Sequence, residues 1–215
     1  MTVDVQEAVA QAARVLARSG LVTAFGHVSA RTADGFVITP AADLARAAPD
    51  RLIIVARDAA ALPNGAPAEA WAHLAVYRER PDVAAIARAQ PPAAFAAAAP
   101  GKTLFPLYGQ ASWLGASVPV HDDARLLRTL ALAERAAGVL TEGEALLLRG
   151  NGGITTGDSP GLAVARMWLL EQACRAWIAL TPAERRGLSP AEIASWRAVS
   201  AELLPRLWRH LAEVG

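Results

Sequence analysis

Apolar positions recur along the chain with two periods, and the switches between them mark out the elements. Val5, Val9, Ala13 and Leu16 form one stripe at helical spacing. Asp4 with Glu7 three residues later resembles a capping pair, and Gly20 ends that helix. "GFVITP" (Gly35–Pro40) and "RLIIVA" (Arg51–Ala56) read as strands on either side of a polar connection. "PAEAWAHLAVYRERPD" predicts a helix with Pro67 in its first turn, Pro81 just past its end, and Trp71, Leu74 and Tyr77 as a buried seam. A strand over Val83–Arg88, a short alanine-rich helix, and the segments "TLFPLYG" and "ASVPV" follow. Asp122 or Asp123 then opens a helix through Ala137. "EALLLRGNGGITTGD" predicts two strands around a glycine-rich turn, and Pro160–Leu180 a strongly amphipathic helix. The tail, about 181–215, predicts a helical pair or one helix kinked near Pro205. Helices lie between strands and strand-to-strand returns, which points to an α/β or α+β fold with a central sheet covered by helices. With no internal repeat and no linker, one domain over residues 1–215 is expected.

Composition narrows the function classes. Apolar residues are 53% of the chain, much of it alanine, and charged residues 19%, so the chain is globular. The formal net charge is +1 and there is no basic run, so nothing recommends a nucleic-acid partner. The single cysteine, Cys174, cannot form an internal disulfide, which suits a reducing compartment. Acidic residues occupy the start of the chain where a signal peptide needs a basic flank. The most apolar stretch, "PPAAFAAAAPG", is too short and too weakly apolar to span a bilayer. The expectation is a cytoplasmic, soluble protein with no membrane partner.

Few residues carry obvious chemistry. The histidines, His27, His73, His121 and His210, form neither H-x-H nor H-E-x-x-H. The turn "RGNGGITTG" follows a strand but precedes another strand, so it lacks the helix N-terminus of a phosphate cradle and reads as a hairpin turn. Glu69 lies in the first turn of its predicted helix with His73 one turn on. That pair reads either as a carboxylate facing the helix dipole beside a partly buried histidine, or as a reactive pair. In "DVAAIARAQPPAA", strand alternation aims Arg88 and Gln90 at the same spot where the strand ends.

Three blocks, "GLVTAFGHVSARTADGFVITP", "EAWAHLAVYRERPDVAAI" and "ALLLRGNGGITTGDSPGLAVA", resemble in order and spacing the signature blocks of the class II aldolase/adducin family. That family includes the fuculose-phosphate and rhamnulose-phosphate aldolases and ribulose-phosphate 4-epimerase. The resemblance implies a three-layer α/β/α sandwich on a largely antiparallel sheet. It also implies a homo-oligomer, a C4 tetramer with active sites between subunits, acting on a small-molecule substrate. Where the family writes H-x-H after "RPDV", this chain has Arg88 and Gln90, and where it places a third metal-binding histidine this chain has Asn151. A guanidinium cannot ligate a cation and repels one, and two amide oxygens are weak ligands, so no metal and no other cofactor are expected. The family's phosphate-binding serine pair reads Pro67-Ala68, its Thr-Gly reads Ala41-Ala42, and its asparagine reads His27. These losses argue against a phosphorylated substrate. What persists is Gly26, Glu69 at the position of the catalytic acid/base, and Tyr108 near that of an active-site tyrosine.

Arg88 in the old metal position reads as decay into an internal salt bridge, with Glu69 as its natural partner, or as a fixed cation replacing the metal. On the second reading the protein is a metal-independent lyase or isomerase for a small non-phosphorylated carbonyl or carboxylate compound. Retro-aldol cleavage, decarboxylation, dehydration and cyclisation all fit. Glu69 would move the proton, Arg88 would hold the oxyanion, and Gly26, His27, Gln90, Tyr108 and Asn151 would bind or orient the substrate. The alternatives are a non-catalytic oligomeric scaffold and, last, a metal enzyme with relocated ligands Glu69, His73 and His27.

Overall fold

In the computed structural model, residues 4–22 and 24–214 are described. The first helix, α1 (Val5–Arg18), starts where the Asp4 side chain accepts from Gln6 N. Glu7 does not complete the capping pair; it is bound instead by Arg14 at 3.0 Å. Seven strands follow: β1 (His27–Thr32), β2 (Gly35–Ile38), β3 (Ile53–Ala56), β4 (Ala85–Ala89), β5 (Val120–His121), β6 (Ala145–Leu148) and β7 (Gly152–Gly157). They form one sheet in the order β3-β2-β1-β4-β7-β6-β5, antiparallel except for the β5–β6 pair. The expected largely antiparallel sheet between helical layers is what the chain forms.

Helices cover both faces. On one side lie α1, α3 (Pro92–Ala98) and α5 (Pro160–Ala179), with α7 (Ser200–Glu213) packed on α5. On the other lie α2 (Ala70–Glu79) and α4 (Leu130–Leu140). Strand alternation divides the core accordingly: Ala85, Ala87 and Ala89 of β4 belong to the α5-side cluster and Ile86 to the α2-side cluster. Small residues let α5 lie close to the sheet. A Cβ on Gly157 would sit 2.6 Å from the backbone nitrogen of Ala163, and one on Gly153 would sit 2.7 Å from Leu170.

Several elements differ from expectation for physical reasons. Strand β1 is absent from the sequence reading because its polar inward positions, His27, Ser29 and Arg31, hide the apolar alternation. Helix α2 begins at Ala70, so Pro67 lies outside it and Glu69 is its capping residue, not a member of its first turn. Leu74 and Tyr77 are buried as expected, Trp71 only partly, and His73 is fully buried. Asp122 and Asp123 do not open α4; Thr129 caps it, and Asp123 is held by Arg125 and Arg135. Helix α5 carries no clear amphipathic stripe: it is surrounded by the sheet, α1, α3 and α7, so its burial is nearly all round. The C-terminal segment forms a pair, α6 (Pro190–Ala198) and α7, broken at Val199, while Pro205 sits inside α7. Leu204 is buried, and Trp208 and Trp196 pack on Gly161 and Gly109, so much of the aromatic surface of this segment covers its own core. Among the described residues no helix is long and apolar enough to cross a membrane.

Candidate active-site cleft

A cleft of about 670 Å³ opens at the start of β1. The approach to β1 supplies Gly26 and His27, the turn after β2 supplies Ala41, Ala42 and Asp43, and the approach to α2 supplies Pro67, Ala68 and Glu69. Arg128, from the loop before α4, closes the rim. The positions that the family resemblance matched to a phosphate cradle thus converge in space. Ala41, Ala42, Pro67 and Ala68 now present methyl groups and a proline ring where phosphate-binding donors would be needed, and His27 presents an imidazole. Gly26 is required here: a Cβ would meet Val22 at 2.5 Å and the carbonyl of Arg88 at 3.3 Å.

The Glu69 carboxylate accepts from Arg128 Nε at 2.9 Å. Its side chain is 13% exposed, whereas that of Arg128 is 58% exposed. The partner of Glu69 is therefore a surface cation, not Arg88, and the internal Glu69–Arg88 salt bridge of the decay reading is not formed. With its cation exposed, a pair of this kind contributes only about 0–1 kcal/mol.

Arg88 lies beneath the cleft. Its Cα is directly opposite that of His27 in the β1–β4 register, which turns both side chains toward the α2 side. It is 3% exposed. Its Nη2 donates to Asn151 Oδ1 and, at 3.4 Å, to the Asn151 carbonyl. Gln90 Nε2 donates to the same Oδ1 at 3.0 Å. The three expected replacements of the metal ligands are thus gathered around one amide oxygen. Gly152 makes this possible: it adopts φ +83°, and a Cβ there would stand 2.1 Å from the Ala89 carbonyl, so only glycine lets the hairpin come against the end of β4. Among the described residues no carboxylate pairs with Arg88. Burial lowers its pKa, and the field of Glu69 opposes that. A guanidinium nevertheless stays charged, so this is a buried cation with no acidic partner among the described residues.

A buried polar chain supports His27 from the α2 side. Ser29 Oγ lies 2.7 Å from His73 Nδ1 and 2.8 Å from Tyr77 Oη. The rings of His27 and His73 meet edge-on with centroids 5.8 Å apart. Burial, reinforced by Arg88, pushes the pKa of His27 down to about 3. His73 is also pushed well below the usual histidine range, first by burial and then by His27 and Arg88. Both imidazoles are neutral at pH 7.

Tyr108 does not join the cleft. It lines a separate cavity of about 440 Å³ with Trp113, Trp168 and Leu203, between α5 and α7. Burial raises its pKa to about 12. Within one chain, then, Gly26, His27 and Glu69 share the cleft, Arg88, Gln90 and Asn151 share the buried corner below it, and Tyr108 stands apart. Sequence reading missed Asp43, Arg128, Ser29 and Tyr77. Ser29 follows His27 by the strand period and was findable once β1 was recognised; Arg128 has no local signal at all.

A divalent metal of the kind the family implies does not fit this donor set. The positions for its imidazoles hold a guanidinium and two amides that are already bonded to one another. The relocated set fails too: His73 is bonded to Ser29, and among the described residues no group of three or more histidine, cysteine or acidic side chains is placed to hold an ion.

Comparison with known proteins agrees with the fold. Residues 7–178 match the family described as "Class II Aldolase and Adducin N-terminal domain". The chain is 30% identical over 193 residues to a 3,4-dihydroxyphthalate decarboxylase of Rhodococcus jostii (strain RHA1), covering 81% of this chain and 79% of that one. It is 32% identical over 171 residues to the enzyme of the same name from Arthrobacter keyseri, covering 68% and 66%. Among solved structures, the L-fuculose-1-phosphate aldolase of Thermus thermophilus superposes with a TM-score of 0.74 at 30% identity, covering 81% of this chain and 93% of that one. The chain belongs to the class II aldolase and adducin N-terminal domain family.

Proposed function

We propose that this protein is a metal-independent lyase that cleaves a carbon–carbon bond in a small, non-phosphorylated carboxylate, with decarboxylation as its first candidate reaction. The observation that carries this is Arg88, a buried guanidinium with no acidic partner among the described residues, set below a cleft that contains Glu69. Such a cation fits a carboxylate, or the oxygen that becomes an enolate when carbon dioxide leaves. The broken bond's electron pair stays on the substrate carbon and spreads to that oxygen, and the carbon takes up a proton that Glu69 relays from solvent. A metal usually supplies the positive charge for such chemistry, and a fixed guanidinium stabilises the same developing anion. The similarity to two enzymes named as 3,4-dihydroxyphthalate decarboxylases supports the carboxylate over a sugar phosphate. The methyl-lined cradle supports the lack of a phosphate. A homotetramer is part of the proposal, on family grounds; light scattering that gave a monomer at micromolar concentration would remove it.

The reading is tested by carbon dioxide release from 3,4-dihydroxyphthalate and a panel of small hydroxy- and oxo-carboxylates, in buffer containing a chelator. Turnover in chelator, with no stoichiometric zinc, manganese or iron by elemental analysis, is the expected result. Turnover that appears only on adding a divalent metal would overturn metal independence. No reaction with any of the panel, carbonyl products included, would favour the scaffold alternative.

A further inference from the structure

The buried chain behind His27 has a direction. Ser29 and Tyr77 each carry one hydroxyl proton, and each neutral histidine carries one ring proton. His73 Nε2 and His27 Nδ1 are both sealed from solvent and have no hydrogen-bond partner among the described residues. Their rings are near enough for a small ring shift, or one buried water, to join those two nitrogens. His27 lines the cleft and its sealed nitrogen is Nδ1, so Nε2 is the nitrogen it presents to a ligand.

Three polarities are open to this chain, because the Ser29 oxygen can also accept from both His73 and Tyr77, which leaves the Ser29 proton buried without an acceptor. If His73 holds its proton on Nδ1, it donates to Ser29 and Ser29 donates to Tyr77. The Tyr77 hydroxyl proton is then buried with no acceptor, an expensive outcome for a group with no solvent to turn to. If instead Tyr77 donates to Ser29 and Ser29 donates to His73 Nδ1, the proton of His73 sits on Nε2 and points to His27 Nδ1. That arrangement places the proton of His27 on Nε2, and every buried proton then has an acceptor once a ring shift or a bridging water joins His73 Nε2 to His27 Nδ1, which are not bonded to each other in this structure. Burial raises the pKa of Tyr77, which keeps it in its protonated, donating form.

We propose that Tyr77, Ser29 and His73 form a one-way hydrogen-bond chain that fixes His27 as a neutral Nε2–H donor aimed into the cleft, beside the Arg88 cation. This deepens the lyase reading and rests on it for its chemistry: His27 and Arg88 together form a two-donor cradle for one developing oxyanion. Ser29, His73 and Tyr77 are positioning residues that act through His27. The charged or titratable groups around His27 are Arg88 from β4, His73 and Glu69 from α2 and its cap, Asp43 after β2, and Arg128 before α4. Burial and the charge of Arg88 both disfavour a charged imidazole there. A neutral donor is therefore the form that persists.

The test is two-bond proton–nitrogen correlation NMR of the histidine rings in the full-length protein without substrate. With four histidines in the chain, single His→Asn variants assign the signals. The expected spectrum shows His27 and His73 both neutral and both protonated on Nε2. A proton on Nδ1 of either ring, or a His27 that titrates near its ordinary pKa of about 6.5, overturns the proposal. His73→Phe fills the space against Phe36 but removes the donor; it is expected to shift the His27 Nδ1 resonance and to lower kcat about tenfold at unchanged KM. Ser29→Ala gives the same nitrogen readout if the first variant fails to fold. An unchanged His27 spectrum in a folded variant of either kind overturns the chain. These spectra need no substrate, so a correct tautomer pattern in a protein that turns over no carboxylate would defeat the lyase reading alone.

Discussion

On the α5 side of the sheet, β4 contributes Ala85, Ala87 and Ala89, β1 contributes Val28 and Ala30, and β6 contributes Ala145 and Leu147. On the α2 side the same strands contribute Ile86 and Arg88, His27, Ser29 and Arg31, and Leu146 and Leu148. One face buries small and branched apolar groups against a nearly all-buried helix. The other face buries a cation, two imidazoles, a serine and a tyrosine against a short helix. The first arrangement serves stability, because alanine and glycine let α5 approach, and its buried polar groups, such as Thr155 on the Ala163 carbonyl and Glu171 on Ala93 N, are satisfied by the backbone. The second spends stability on polar desolvation, and a fold retains such groups where they do chemistry. The difference separates what holds this molecule together from what it offers to a ligand.

The strongest attempt to break that comparison is Glu69→Gln. It keeps the size of the side chain at the cap of α2 while removing the proton carrier, and it is expected to cost about 10²–10⁴ in turnover with an unchanged melting temperature. Parental rates in this variant would take Glu69 out of the mechanism. Next, Arg88→Met and Leu170→Ala should behave as mirror images. Arg88→Met is expected to lower turnover about 10²–10³-fold while leaving stability equal or higher, because a buried unpaired charge is replaced by a flexible apolar chain. Leu170→Ala on the opposite face is expected to cost about 2–5 kcal/mol of stability with turnover per folded molecule unchanged. Denaturant titration and steady-state rates on the same samples decide it; a large stability loss for Arg88→Met would mean that the guanidinium is structural.

Acid should also act through the polar face. His27 has a folded pKa of about 3, below its unfolded value near 6.5, so the unfolded chain binds a proton first as pH falls. Stability is full above the unfolded value and is lost as pH drops from about 6.5 toward 3, by as much as about 5 kcal/mol for a shift of this size. His73 adds in the same direction. Melting curves across this range should flatten in His27→Asn, and equal slopes in the two proteins would count against the buried neutral imidazole. The smallest expected effect is Arg128→Ala. Loss of this ion pair should change stability by less than about 1 kcal/mol, yet it should change the rate of turnover by freeing the Glu69 carboxylate.

Local pattern was enough for α1, the β6–β7 hairpin and the C-terminal helices, because each carries its own cap, turn or stripe. Asp4, Gly150 and Gly152, and the Ser189–Glu192 capping box act within a few residues of themselves. Strand β1 and the start of α4 were not legible. Strand β1 places polar residues on a buried face, and the Asp122–Asp123 pair that mimics a helix start is drawn off by arginines.

Once the family resemblance marked three metal-ligand positions, residue types determined that Arg88, Gln90 and Asn151 cannot serve as three imidazoles, and strand period put Arg88 and Gln90 on one side. Alanine at 41, 42 and 68 and proline at 67, four of the positions the family resemblance matches to a phosphate cradle, have no side-chain donor in any conformation, and His27 is the one that keeps a donor. Only the tertiary structure decided who meets whom. It brought Arg128 to Glu69 across 59 residues and Asn151 to Arg88 across 63, and it sent Tyr108 to a different cavity. It also set His73 against Ser29 and sealed one nitrogen of each imidazole away from solvent. Such contacts depend on sheet register and on how helices seat across it, and these are set by the packing of the whole core.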